Sequence, residues 1–360
     1  MIHFTSENWA RTRETYDAWW EGALDRPLIK SVVRCFDPGR PAPKAPFLSQ
    51  ENCHDFSYSP EEIVDAMDYE LSQLAFMGDA FPIVNFDSFG PGVLAAFCGA
   101  KLDNQSGRVW FFPAKKLPID KIHIHYDPEN PWVQRVKAIY KAGLDRWEGN
   151  VLMGMPDLGG VMDVVATFRG SEELLMDLYD APEEVHRLRQ EAYAAWMEAY
   201  EDLSKVLAGN PGHSDWDGLY SSKPSYVLQS DFCYMIGTPM FDEFVLPDIE
   251  NACRELGRAI YHLDGIGELK HLDRLLAIPE LNAVQWVYGD GQPSARHWIQ
   301  VYQKIAAAGK GIHMVGDRED FEAVSQAVPN GRFYANFAEK TVEETKAMLE
   351  HFGVPANSPQ

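Results

Sequence analysis

The feature that most constrains this chain is an alternation of segment types. Short apolar runs of strand length are separated by amphipathic helical stretches through most of the 360 residues. Such a pattern calls for parallel strands, because a parallel neighbour is reached through a helical crossover and not through a tight turn. The strand candidates are residues 27–35 (PLIKSVVRC), 81–87, 151–157, 258–264, 283–287, 311–317 and 332–337, with a side strand at 109–112. The expected fold is α/β, a (β/α)8 TIM barrel in a single domain. Its predicted extent is 27–352, with an N-terminal helical extension over 1–26 and a tail over 353–360, of which 356–360 read as disordered. A doubly wound open sheet is the runner-up. It is disfavoured because no G-x-G-x-x-G opens a helix after a strand and there is no P-loop.

Helix signals punctuate these strands. Residues 6–24 carry Trp9, Tyr16, Trp19 and Trp20 at near-helical spacing, with Ser6 as the expected cap. An aromatic stripe of this kind packs a core. Ser59-Pro60-Glu61-Glu62 opens a helix predicted to run to about Met77. Further helix starts are expected near Ser171, Pro182, Thr238 (reaching about Leu256) and Thr341, while the chain after Tyr220 reads as loop through Asp231.

The 54 acidic residues outnumber the 32 basic ones, for a formal charge of −22. That charge repels nucleic acid and anionic membranes, so neither is expected as a partner. No run approaches the roughly 20 apolar residues of a membrane span. Cys35, Cys53, Cys98, Cys233 and Cys253 are odd in number, widely spaced and without a CxxC. They argue against a disulfide framework and for a reducing, cytoplasmic setting. The N-terminal stretch is charged and amphipathic, and reads as neither signal peptide nor anchor.

Chemistry concentrates at residues 258–265, RAIYHLDG. Alternation along a strand sends His262 and Asp264 to the same side, so two metal ligands, or an acid and a base, point together at the strand end. In parallel α/β folds that end is where ligands bind. The other strand ends supply Asp87, Asp157, Asp215 or Asp217, Asp231, Gln285 with Trp286, His313 or Asp317, and Asn336 or Glu339. A ring of carboxylates and imidazoles with few lysines suits a divalent metal, a cationic group or acid–base work. A phosphate-rich ligand would call for Arg, Lys or glycine-rich amide nests instead.

Residues 170–185, GSEELLMDLYDAPEEV, resemble the helix pair of the uroporphyrinogen decarboxylase superfamily. Similar features follow the family order: residues 79–87, then Asp215-Trp216-Asp217-Gly218, then 241–247, then the strand carrying His262. The resemblance implies a (β/α)8 barrel and one of two chemistries. True decarboxylases use an R-Q-A-G-R-Y motif and an aspartate on the second strand, for which Asp87 is the match. The arginine motif is absent, and Val33-Arg34-Cys35-Phe36 does not replace it. The other branch comprises zinc-dependent, cobamide-linked methyltransferases and O-demethylase components, with His-x-Cys on the strand that here carries His262 and Asp264.

The resemblance therefore implies a methyltransferase moving a methyl group between a small methylated compound and a corrinoid protein. His262, Asp264 and Glu339 are the expected zinc ligands. Asp87, Asp215, Asp231 and His262 are the expected catalytic residues. Tyr234, Gln285, Trp286 and His313 are expected to line the substrate site. The corrinoid would sit on a partner protein, since no Asp-x-His-x-x-Gly motif occurs in this chain. A homodimer is allowed for, though no residue argues for it. The alternatives are a metal-free decarboxylase of a small or tetrapyrrole acid, and a non-catalytic barrel that binds a small molecule.

Overall fold

The computed structural model describes residues 1–357, so 358–360 of the expected tail lie outside the described residues. Eleven strands occur among them: β1 (Leu28–Arg34), β2 (Leu74–Gly78), β3 (Ile83–Val84), β4 (Lys101–Asp103), β5 (Trp110–Phe112), β6 (Leu152–Met153), β7 (Ser225–Leu228), β8 (Arg258–Asp264), β9 (Ala283–Val287), β10 (Gly311–Met314) and β11 (Arg332–Phe337). Seven form one sheet in the order β2-β1-β11-β10-β9-β8-β7. All its neighbours are parallel except β1 and β2. A second, two-stranded parallel ladder joins β3 to β6, and β4 with β5 makes a side hairpin. The chain is thus a mixed α/β fold built on parallel strands with helical crossovers, compatible with a TIM-like arrangement.

Two strands differ from expectation. Residues 74–78 were predicted as the end of a helix, but that helix stops at Leu71 and the chain turns back as β2 against β1, pairing Ala75 with Val33. Leu, Ala and Met favour helix locally, and the long-range ladder overrides them. The segment predicted as loop after Tyr220 contains β7, fully buried between β8 and the helices. The helix predicted from Thr238 to about Leu256 is broken at Val245 into Thr238–Phe244 and Leu246–Leu256, with Pro247 in the first turn of the second.

The N-terminal helix, Ser6–Trp20, is capped by Thr5, not Ser6: the Thr5 hydroxyl accepts from Asn8 N at 3.2 Å and Asn8 Oδ1 accepts from Thr5 N at 2.8 Å. Its aromatic stripe enters the core. Tyr16 and Trp19 are fully buried, Trp19 Nε1 donates to Phe333 O at 2.9 Å, and Tyr16 donates to Asp79 O at 2.9 Å. Asp79 in turn holds Arg26 through two hydrogen bonds of 2.7 and 2.8 Å, fixing the approach to β1. At the other end Asn357, within the 356–360 stretch expected to be disordered, donates to Gly78 O at 2.6 Å and is held against β2.

The helix Pro60–Leu71 starts where expected and is closed by a capping box: Ser59 accepts from Glu62 N at 3.2 Å while Glu62 accepts from Ser59 N at 2.8 Å. Ser59→Ala is expected to cost about 1 kcal/mol, seen as a lower urea midpoint with an unchanged slope. An unchanged midpoint would mean that packing of Ile63 and Met67 alone sets this helix. Among the described residues no helix is long and apolar enough to cross a membrane, and the five cysteines are free thiols.

Candidate functional site

The site grows from the carboxyl end of β8. Alternation there puts Tyr261 and Leu263, both fully buried, under the helices and turns His262 and Asp264 the other way. The next strand, β9, pairs His262 with Gln285 and Leu263 with Trp286. Gln285 therefore shares the face of His262, and Trp286 does not. The Trp286 ring is fully buried and packs edge-on against Trp298 at 5.4 Å, on the helix side of the sheet. Trp286 thus lies on the opposite face of the sheet from His262, not beside it as expected. Adjacent residues of one strand cannot serve the same face.

His262, Asp264 and Asp231 offer ligand atoms that all lie within 4.8 Å of one another. His262 Nε2 is 3.9 Å from Asp264 Oδ2. Asp231 comes from a different element, the short 3-10 helix Asp231–Met235 after β7. Asp163 ties that helix down, accepting from Asp231 N at 3.1 Å and from Phe232 N at 2.7 Å. Glu339, the expected third ligand, lies in the loop after β11 and is not part of this group. The third member of the group is instead Asp231, whose segment the Asp163 contacts hold beside the end of β8.

The protonation pattern of His262 follows from its neighbours. Asp217 is almost fully covered, and burial opposes its ionisation, but His313 and then Lys30 outweigh that and hold its carboxyl below the ordinary range. A carboxylate only accepts, so Gln285 must point its amide nitrogen at Asp217 Oδ1, 2.9 Å away. The same nitrogen is 2.8 Å from His313 Nδ1. The Gln285 carbonyl oxygen is left facing His262 Nδ1 in a short contact. His262 therefore carries its proton on Nδ1 and presents the lone pair of Nε2 to Asp264 and Asp231. A metal-binding histidine needs this arrangement. The Trp216 ring stands edge-on to His262 at 5.3 Å and limits its rotation.

The electrostatics favour a cation. Asp231 is an exposed residue, yet its carboxyl faces the group, and desolvation there pushes it up, opposed by His262 and reinforced by the charge of Asp264. Burial, with Asp231 next, raises Asp163 to about 7. Glu268 is completely buried behind the turn, pushed up to about 10 by burial and then by Asp231, and accepts from Asp264 N at 3.2 Å. Carboxylates crowded together in this way resist ionisation until a positive charge joins them. Two carboxylates and one imidazole nitrogen form a donor set that fits a zinc-like or harder divalent ion.

The remaining expected residues are dispersed. Both Asp215 oxygens accept from backbone amides, Asp217 N at 3.0 Å and Val227 N at 2.8 Å. Asp215 thus shapes the turn that presents Asp217. Asp87 is exposed, with Gln50 Nε2 at 3.4 Å as its side-chain contact. His313 joins the network and packs on Tyr334 at 4.4 Å. The half-exposed Tyr234 ring covers the turn after β8: a methyl group at Gly267 would meet its Cε2 at 2.5 Å.

Sequence reasoning missed Lys30, Asp163 and Glu268. A lysine within the apolar run PLIKSVV was the one available signal. Asp163 and Glu268 look like ordinary helix and turn acids until the fold places them.

Asp217→Asn tests the polar chain. An asparagine side chain can donate as well as accept, so Gln285 is free to flip and His262 loses its fixed tautomer. Competition with a chromophoric chelator should show zinc affinity lower by about 10- to 100-fold. Unchanged affinity would show that the network does not control the ligand.

No family model matches the chain, and no curated protein matches it. Among solved structures, the fold is similar to that of a methyltransferase from Methanosarcina mazei, with a TM-score of 0.53 and 12% identity over 88% of this chain and 95% of the other. The likeness is one of fold. At so low an identity the chemistry has to be argued from this chain's own residues.

Proposed function

We propose that this protein is a metal-assisted methyltransferase that moves a methyl group between a small methylated compound and a corrinoid carried by a partner protein. The observation that carries the reading is the convergence of Asp231, His262 Nε2 and Asp264 beside the strand ends. The likeness in fold to a protein named as a methyltransferase supports it. On this reading the two parallel ladders are sectors of one closed (β/α)8 barrel, and the site lies at its mouth.

Zinc held by Asp231, His262 and Asp264 would supply Lewis acidity towards the heteroatom that bears the methyl group. The chain's own residues do the rest. Gln285 and Asp217 keep the His262 proton on Nδ1, Asp163 holds Asp231 in reach, and Glu268 fixes the backbone of Asp264. Carboxylates in place of thiolates suit an oxygen-bound methyl group better than a thiol.

The test is methyl transfer from candidate methylated compounds to a free corrinoid, with and without chelator. Chelator-sensitive transfer supports the proposal. Chelator-insensitive release of carbon dioxide from an acid would replace it with a decarboxylase, and a ligand recovered unchanged would replace it with a binding protein.

A further inference from the structure

We propose that Lys30 is an anion anchor inside the site, holding the carboxylate of a small-acid substrate. The inference rests on the methyltransferase reading and narrows its methyl donor to a small methylated acid.

Lys30 sits in the middle of β1, where every neighbour in the sequence PLIKSVV except Ser31 is apolar. Its side chain turns to the same interior as Asp217 and His313. The ammonium donates to Gly218 O at 2.5 Å and lies over the rings of Phe81 and Tyr334, 4.9 and 5.7 Å from their centroids. Among the described residues no carboxylate comes within ion-pair distance of it. An ammonium has three donors, and one is taken.

Burial lowers the Lys30 ammonium to about 8 even though the charges of Asp217 and Asp215 favour its protonated form. A partly buried lysine of this kind gains from an anionic partner that the protein itself does not provide within ion-pair distance. Gly218 keeps the space open: its φ is +79°, and a Cβ there would stand 3.2 Å from Nζ.

The position also fits a substrate that spans the site. Gly218 follows Asp217, Asp217 holds Gln285, and Gln285 holds His262. Lys30 and the candidate metal ligands thus sit at the two ends of one short polar chain. A small molecule with a carboxylate at one end and a methyl-bearing heteroatom at the other has a matching partner at each end of this chain. Most of the remaining charge at this face is negative, from Asp87, Asp217, Asp231 and Asp264, so an acid lacking such an anchor would be repelled.

The probes are methoxyacetate and its neutral isostere methoxyacetamide, titrated calorimetrically into the full chain with and without chelator. Wild type should bind the acid at least about tenfold more tightly than the amide. Lys30→Met should erase that preference, and Lys30→Arg should keep it. Equal binding of the two probes by wild type, an unchanged preference in Lys30→Met, or no saturable binding of the acid would overturn the proposal. If Lys30→Met does not fold by circular dichroism, the wild-type comparison and Lys30→Arg decide.

Methyl transfer is not read in this experiment. An acid preference in a protein that neither binds zinc nor transfers methyl groups leaves Lys30 standing and removes the methyltransferase. Zinc and transfer without an acid preference removes Lys30 alone.

Discussion

His262→Ala should leave a folded protein that has lost its metal and its turnover. His262 is largely covered but anchors no secondary structure: its side-chain partners are Gln285, the Trp216 ring and Asp264. Truncation therefore removes a ligand and little packing. Wild type, expressed with zinc, should carry about one zinc per chain, and the variant none after dialysis. Partners that only orient a metal ligand are worth about 10- to 100-fold in affinity or activity, so loss of the ligand itself should exceed that. Elemental analysis beside circular dichroism is the measurement. Zinc retained at wild-type stoichiometry in His262→Ala would remove His262 from the metal site.

Trp286→Ala should act in the opposite way, through stability and not through substrate affinity. The indole is fully buried against Trp298 on the helix side of β9. Removing it leaves a large cavity in a packed layer, at a cost of about 3–5 kcal/mol. Denaturant unfolding should show a much lower midpoint, while binding of small ligands at a temperature where the variant is folded should be unchanged. A selective loss of ligand affinity at unchanged stability would return Trp286 to the site.

These two residues also show what was legible in the sequence. Period-two alternation placed His262 with Asp264, and the same rule, applied to β9, separates Gln285 from Trp286. Strands with a mostly apolar stretch that runs into polar residues, such as β8 and β11, could be read directly. β2 could not, because LAFM carries helix-forming residues and becomes a strand only through its pairing with Val33 and its neighbours. β7 is four residues long and fully buried, too short for any period to register. The third member of the metal group depends on hydrogen bonds that Asp163 accepts from a segment 68 and 69 residues away in sequence. No local pattern encodes such a contact, so Glu339 and Asp231 could not be told apart as ligands.

The docking of Trp19 onto Phe333 joins groups 314 residues apart in sequence. During synthesis the helix Ser6–Trp20 leaves the ribosome long before the strand that receives it. Tyr16 and Trp9 can meet Phe81 early, but Trp19 lacks its own partner through most of translation, a period in which chaperones and neighbouring nascent chains can bind it. Ribosome-bound chains stalled before Arg332 should therefore be cleaved readily by protease in the N-terminal segment, and chains extended past Phe337 should resist. Equal resistance at both lengths would show that the helix finds a temporary berth elsewhere while the last strand is still being made.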